Sequence, residues 1–208
     1  MPSRFALRLA TTVAAALAVF PLSGVSAASA APGTLQPVRS LDVPRYLGAW
    51  WQQAAIPGFY SLRCARDTVA RYGLIDPMTV SVNNRCISPT GQRDGIVGKA
   101  KVVDPKTKAQ LAVSFPGVPY TFDTKDRPNY VIAWVANGDR PGDPYKYAIV
   151  GDPDRLSGFI LARSRVISTR TLLMLRAQTE RLGFNSCLFV ISPTTGGRSD
   201  YTPLCLVR

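Results

Sequence analysis

The sequence predicts an all-β fold with one helix near the C-terminus, in a chain destined for export. Short runs of β-branched and aromatic residues recur between turn residues, which is typical of an up-and-down barrel or a sandwich. The N-terminus has the composition of a secretory leader, and four cysteines follow it. Cysteine in an exported chain favours a disulfide framework.

The first thirty residues have the three parts of a signal peptide. Arg4 and Arg8 form a basic head, residues 9–22 are apolar, and small residues end at Ala30. The apolar run is shorter than the roughly 20 residues that cross a bilayer. We therefore predict a signal peptide at 1–30 and a single domain at 31–208. The first cysteine, Cys64, lies far from the cleavage site, so we expect a secreted or extracytoplasmic product without a lipid anchor.

Eight strand candidates follow one another along the chain. In some of them apolar and polar residues alternate, as in Val80-Ser81-Val82-Asn83. Gly and Asp-Pro residues separate them. The candidates are Ala49–Ala55, Thr68–Leu74, Met78–Ile87, Gly95–Val103, Ala109–Phe115, Tyr130–Ala136, Lys146–Val150 and Phe159–Arg163.

One later segment has helical periodicity instead. Ser168 is a suitable N-cap and Gly183 a suitable C-cap, which predicts a helix over about 169–182. Its apolar stripe, expected to pack outside the sheet, consists of Leu172, Leu175, Thr179 and Leu182. A short final strand is predicted at Leu188–Ile191, and a loop at 194–199.

The cysteines fit two disulfides. A hairpin folded about Ile75 sets residue 72 opposite 78, 68 opposite 82, and Cys64 opposite Cys86. Cys187 and Cys205 then remain to attach the C-terminal tail, and a bridge from Cys64 to Cys205 stays open as the alternative.

Charge and residue types restrict the function. The net charge of +12 is compatible with an anionic membrane surface as a partner. The basic residues are scattered and accompany no nucleic-acid motif, so we expect no nucleic-acid partner. No histidine is present, which removes Ser-His and Cys-His nucleophile pairs and the usual histidine metal sites. Asp152 and Asp154 lie in a turn, where local backbone bonds are their common role. We expect no catalytic residues, no metal and no cofactor.

Two segments about 100 residues apart carry a family resemblance. The chain shows Gly48-Ala49-Trp50 at the first strand, and Gly151–Arg155 precedes Phe159–Arg163 ahead of the helix. Together with 68–72 and 98–100, they resemble the lipocalin family, especially its bacterial lipocalin and apolipoprotein D branch. The resemblance covers about 41–192. It implies an eight-stranded antiparallel up-and-down barrel with a C-terminal helix, a short ninth strand and a disulfide-tethered tail at 193–208.

The resemblance assigns structural roles to three residues. Trp50 would plug the closed end of the barrel, and Arg163 from the last barrel strand would lie across the indole. Gly48 would let chain segments approach closely there.

The resemblance also implies a ligand pocket. Tyr72 and Phe159 match pocket aromatics of apolipoprotein D. Alternation and hairpin pairing add Thr68, Ala70, Val80, Val82 and Leu161, while the side on which Trp134 lies stays open. Arg66 and Lys99 are candidates to meet an anionic headgroup.

The function predicted from the sequence is the binding or transport of a small hydrophobic ligand, such as a fatty acid or lysophospholipid. One alternative is a lipocalin-fold enzyme that uses interior Asp or Tyr. Another is an envelope protein that binds anionic lipid or polymer through its basic surface.

Overall fold

A computed structural model of the chain describes residues 33–118 and 127–208. The predicted signal peptide, residues 1–30, lies outside the described residues. Nine strands are described: β1 Gly48–Ala55, β2 Arg66–Asp76, β3 Thr79–Ile87, β4 Arg93–Val102, β5 Gln110–Ser114, β6 Tyr130–Ala136, β7 Tyr147–Gly151, β8 Gly158–Ala162 and β9 Val190–Ile191. The helices are α1 Val43–Tyr46 and α2 Thr169–Arg181, with 3₁₀ turns at Phe59–Arg63, Ser186–Leu188 and Leu204–Leu206.

The first eight strands close into an antiparallel barrel. Each strand from β2 to β8 pairs with the next, and β1 pairs with both β8 and β2. The short β9 adds to β1 from outside the ring of eight. The predicted barrel, its C-terminal helix and its ninth strand are therefore confirmed, and the sandwich alternative is wrong.

The β2–β3 hairpin turns two residues later than the sequence analysis predicted. Tyr72 lies opposite Val82 and Leu74 opposite Val80, so residue 72 does not face 78. The turn falls at Pro77 and Met78, where the Asp76 carboxylate accepts a bond from the Met78 amide at 2.8 Å. This aspartate turn centres the hairpin at Pro77 and not at Ile75, where it was predicted.

Both predicted disulfides form in spite of that shift, with Cα separations of 5.5 Å for Cys64–Cys86 and 4.8 Å for Cys187–Cys205. Cys64 precedes β2, and the ladder is interrupted between Arg66 and Val69, so strict pairing does not extend to it. The Ala65 amide instead bonds to the Ile87 carbonyl at 2.8 Å, which brings Cys64 beside Cys86. The alternative bridge from Cys64 to Cys205 is wrong.

Helix α2 begins at its predicted N-cap and ends at Arg181, one residue earlier than predicted, with Leu182 as its C-cap. The Ser168 hydroxyl accepts from the Thr171 amide at 3.1 Å, and Gly183 adopts a φ of +80°. The Phe184 amide then bonds back to the Thr179 carbonyl at 3.3 Å. The buried face of the helix packs on the outside of the barrel, in a cluster that includes Leu172, Leu175, Ile149, Ile160 and Phe189.

A second apolar cluster lies inside the barrel. Its buried members include Trp50, Val80, Val82, Ala100, Val102, Leu111, Ile132, Val150 and Leu161. Helix α1 ends at this cluster through the buried Tyr46, and its N-cap is Asp42. The sequence analysis did not predict α1.

Trp134 lies on the outer side of the barrel wall. A register shift between Ile132 and Trp134 interrupts the β6–β7 ladder, so Ile132 joins the inner cluster while Trp134 packs against the outer one. A bulge of this kind puts two consecutive residues on one side of a strand.

Candidate ligand cavity

The barrel encloses a cavity of about 470 Å³, within the roughly 300–1,000 Å³ common for small-molecule sites. Most of its wall is apolar. The five residues predicted as ligand contacts all line it: Tyr72, Val80, Val82, Phe159 and Leu161. Thr68 and Ala70 line it as well. The cavity therefore offers an apolar ligand burial on several strands at once.

At the end of the cavity nearest Tyr46, here called the closed end, Arg163 stacks on Trp50 behind the cavity wall. Trp50 is fully buried, and the Arg163 guanidinium lies 3.9 Å from the centre of its ring. The same guanidinium donates to the carbonyls of Tyr145, Ala49 and Arg45 at 2.9, 3.0 and 2.8 Å. Arg163 follows the last residue of β8 and does not lie within it, because β8 ends at Ala162.

Gly48 belongs to the same closed end. Its φ is +93°, a left-handed conformation that L side chains rarely adopt. A Cβ there would lie 3.3 Å from Arg163 Nη1. The glycine thus permits both the backbone turn into β1 and the close approach of the guanidinium.

Three phenols next to this closed end form what we call the tyrosine cluster: Tyr46, Tyr72 and Tyr130. The Tyr130 hydroxyl lies 3.1 Å from that of Tyr46 and 2.9 Å from that of Tyr72. All three side chains line the cavity. Burial raises the pKa of Tyr72 to about 12 and raises the pKa values of Tyr46 and Tyr130 well above their usual range, so the cluster is neutral at physiological pH.

The other end of the cavity opens beside the 3₁₀ turn Phe59–Arg63, here called the mouth turn. Tyr60 packs on Phe159 with ring centres 6.0 Å apart, and Phe59 and Leu62 are exposed. The Arg63 guanidinium forms two bonds to the Asp94 carboxylate, at 2.9 and 2.8 Å. The Cys64–Cys86 disulfide directly follows the mouth turn, so it anchors this part of the rim.

Arg66 and Lys99 lie outside the cavity wall, contrary to their prediction as headgroup contacts. Lys99 is exposed on β4 and pairs with Ser81 and Ser114, neither of which lines the cavity. Arg66 is exposed and lies 3.8 Å from the Asp67 carboxylate. Among the residues that the structure describes, the charged ones that line the cavity are Arg63, Arg85, Asp94, Lys108 and Asp152.

The aspartates of the cavity wall already accept hydrogen bonds from other groups of the protein. Asp94 accepts from Arg63 and from the Gly95 amide at 2.6 Å, which lowers the pKa of its carboxyl. Asp152 accepts from both the amide and the hydroxyl of Ser157, at 2.5 and 3.1 Å. Asp94 thus ties β4 to the mouth turn, and Asp152 holds the turn before β8.

In the two described stretches, no three side chains of His, Cys, Asp or Glu are grouped so as to hold a metal ion. Within residues 33–118 and 127–208, no helix has the length and apolarity to cross a bilayer.

The sequence pattern missed the cavity residues that α1 and its flanks contribute, namely Leu41, Val43, Tyr46 and Leu47. It also missed Tyr130, the centre of the tyrosine cluster. Asp42-Val43-Pro44 carried a signal for α1, because an aspartate N-cap followed by proline in the first turn is a common helix start.

These features define a class of protein: a closed eight-stranded antiparallel barrel that holds an apolar cavity, with an Arg-on-Trp stack at one end. The sequence profile of the Lipocalin-like domain matches residues 41–194. The chain belongs to this lipocalin family.

Individual relatives agree with this assignment. The outer membrane lipoprotein Blc of Escherichia coli K12 is 31% identical over 185 residues, which cover 88% of this chain and 96% of Blc. Mouse apolipoprotein D is 31% identical over 100 residues, 46% of this chain and 51% of its own length. The predicted resemblance to the bacterial lipocalin and apolipoprotein D branch is confirmed.

Among solved structures, lobster apocrustacyanin A1 has a TM-score of 0.52 at 17% identity, covering 77% of this chain and 90% of its own. At that identity the likeness supports the fold alone.

Proposed function

We propose that this chain is an exported, non-enzymatic binding protein that carries a small hydrophobic ligand, of the fatty acid or lysophospholipid class, in the barrel cavity. The observation that carries the proposal is the cavity of about 470 Å³ walled by apolar side chains, with an exposed mouth turn at one end. Each ligand methylene removed from water contributes about 0.8 kcal/mol. A ligand of this kind therefore needs few directed bonds.

The chemistry of the wall supports a binding role. The phenols of the tyrosine cluster have raised pKa values, which makes them poor proton donors to substrate and leaves them un-ionised at neutral pH. Asp94 and Asp152 are bonded within the protein. With no histidine in the chain, these groups give little support to the alternative of an enzyme using interior Asp or Tyr.

The cysteines support export. All four are joined in disulfides, which persist in oxidising compartments, and none is left with a thiol for acylation. We therefore propose cleavage after Ala30 and release without a lipid anchor. Mass spectrometry of the exported protein should give an N-terminus at Ala31 and no lipid mass. A retained leader or an acyl adduct would contradict this proposal.

The carrier proposal predicts that filling the cavity abolishes binding. Ala70 lines the cavity from β2, whereas its neighbour Arg71 is exposed on the outer side. We expect Ala70→Phe to weaken binding of a fluorescent fatty acid more than tenfold, because the ring occupies the space of the acyl chain. Fluorescence titration of the folded variant measures this affinity.

Arg71→Phe is the matched control, since it adds the same ring one residue away on the outer face, and we expect it to bind as the natural chain does. Binding should also persist in high salt, which weakens attachment to a basic surface. Native mass spectrometry with lipid extraction then identifies the bound molecule. A chain that takes up no apolar molecule from a broad lipid panel would overturn the proposed function.

A further inference from the structure

The tyrosine cluster holds one more proton than its own hydrogen bonds use. Three phenols carry three hydroxyl protons. The two contacts, Tyr46 with Tyr130 and Tyr72 with Tyr130, use two of them whichever oxygen donates. Among the described residues, these three hydroxyls form no further hydrogen bond. One phenol proton is therefore left without a hydrogen-bond partner among the described residues, beside the cavity that all three side chains line.

The surroundings make that spare donor consequential. Tyr46 is buried and stacks on Tyr72 with ring centres 5.6 Å apart, and Trp50 lies 5.1 Å from Tyr46 on the closed side. A donor shielded in this way loses its hydration when an apolar ligand fills the cavity. Leaving it unpaired then reduces affinity, whereas a ligand that accepts from it is favoured.

We propose that the ligand places a neutral oxygen acceptor, such as a ketone, aldehyde or ester carbonyl, at the closed end of the cavity, where it accepts the spare proton of the tyrosine cluster. This inference rests on the proposed carrier function and narrows its ligand class from fatty acids and lysophospholipids to ligands whose deepest polar group is a neutral carbonyl. The apolar part of the ligand then extends along Val80, Val82 and Leu161 towards Phe159 and the mouth turn.

The acceptor is neutral because the closed end offers no available positive charge to balance a ligand carboxylate. The same burial that raises the pKa of each phenol penalises a carboxylate placed beside it. The guanidinium of Arg163 already donates hydrogen bonds to three backbone carbonyls. Lys108 also lines the cavity, and its side chain is exposed, so a carboxylate that bound here would depend on it.

The test compares decan-2-one with decane, measured by displacement of 1-aminoanthracene. In the variant with Tyr46→Phe, Tyr72→Phe and Tyr130→Phe together, we expect decan-2-one to bind about fivefold more weakly than to the natural chain, the loss typical of one neutral hydrogen bond. Decane should bind within twofold of the natural chain. An equal effect on both ligands, or none on the ketone, would overturn the inference.

A single variant separates the proton count from a simple loss of hydroxyl groups. Tyr130→Phe removes the central oxygen, so Tyr46 and Tyr72 both keep unshared protons and the ketone affinity should not fall. A fall of fivefold in this variant would contradict the proton count, and the variant stays informative if the triple variant does not fold. Leu161→Ala is the control for apolar packing and should weaken both ligands.

A third ligand, decanoate, separates the acceptor classes. We expect it to bind more weakly than decan-2-one; tighter binding that is lost in Lys108→Met would overturn the neutral acceptor. If the natural chain binds neither decan-2-one nor decane, nor any lipid of the panel, the carrier function itself fails. If it binds both and the triple variant changes nothing, only this inference fails.

Discussion

Replacing Arg163 by methionine should lower the free energy of unfolding by about 3 kcal/mol. The guanidinium donates to the carbonyls of Arg45, Ala49 and Tyr145 and stacks on the fully buried Trp50. Hydrogen bonds from charged donors contribute roughly 1.5–3 kcal/mol each to stability. The three bonds of Arg163 contribute less than their sum because the guanidinium is only partly buried and the bonds share one donor group. Urea unfolding, followed by the Trp fluorescence, measures the difference.

Arg163→Lys should recover only part of the loss, since an ammonium cannot reach three carbonyls with a planar fork. The matched control is Arg165→Met. Arg165 is exposed, and its guanidinium lies farther from an indole, 5.5 Å from the ring centre of Trp51. We expect less than about 1 kcal/mol from this change. Equal losses in the two methionine variants would show that the stack on Trp50 does not hold the closed end.

The strands of the barrel were predictable because each has a local sequence signal. Turn residues and β-branched runs place all eight barrel strands within a few residues of their observed bounds. The caps at Ser168 and Gly183 define α2 in the same way. Closure was different: pairing of β1 with β8 joins residues over 100 positions apart, and it came from the family resemblance rather than from any local pattern.

Tyr72, Val80 and Val82 all line the cavity even though the predicted hairpin register was wrong. The observed pairing of Tyr72 with Val82 replaces a predicted pairing with residue 78, a shift of four along β3. Side chains alternate with a period of two, so an even shift leaves every residue on its original side. Val80 and Val82 therefore still share a side with Tyr72 and line the cavity.

Features that depend on irregular backbone were not predictable. The bulge after Ile132 places Trp134 on the outer side, and no residue type near it signals the extra residue. The tyrosine cluster joins α1, β2 and β6, and its hydroxyls meet only because the closed barrel brings these elements together. Alternation alone puts Tyr130 and Ile132 on one side, but it does not say which side faces inward.

Removing either disulfide should destabilise the chain by a similar amount, yet only one removal should alter binding. The bridges span 22 and 18 residues, and loops of that length correspond to about 3 kcal/mol each on the chain-entropy account. We therefore expect Cys64→Ser with Cys86→Ser, and Cys187→Ser with Cys205→Ser, to lower the free energy of unfolding by comparable amounts in urea.

The consequences for the cavity differ because of where each bridge lies. Cys64 and Cys86 line the cavity and anchor the mouth turn, whose Arg63 holds Asp94 across the rim. Freeing this segment loosens Tyr60 against Phe159, so the affinity for a fluorescent fatty acid should fall about threefold or more. Cys187 and Cys205 join the tail to the segment before β9, outside the cavity wall, and their removal should leave the affinity of the folded protein unchanged. Titration at a temperature where both variants are fully folded separates the two effects, and equal affinities in the two would show that the mouth turn contributes nothing to the bound state.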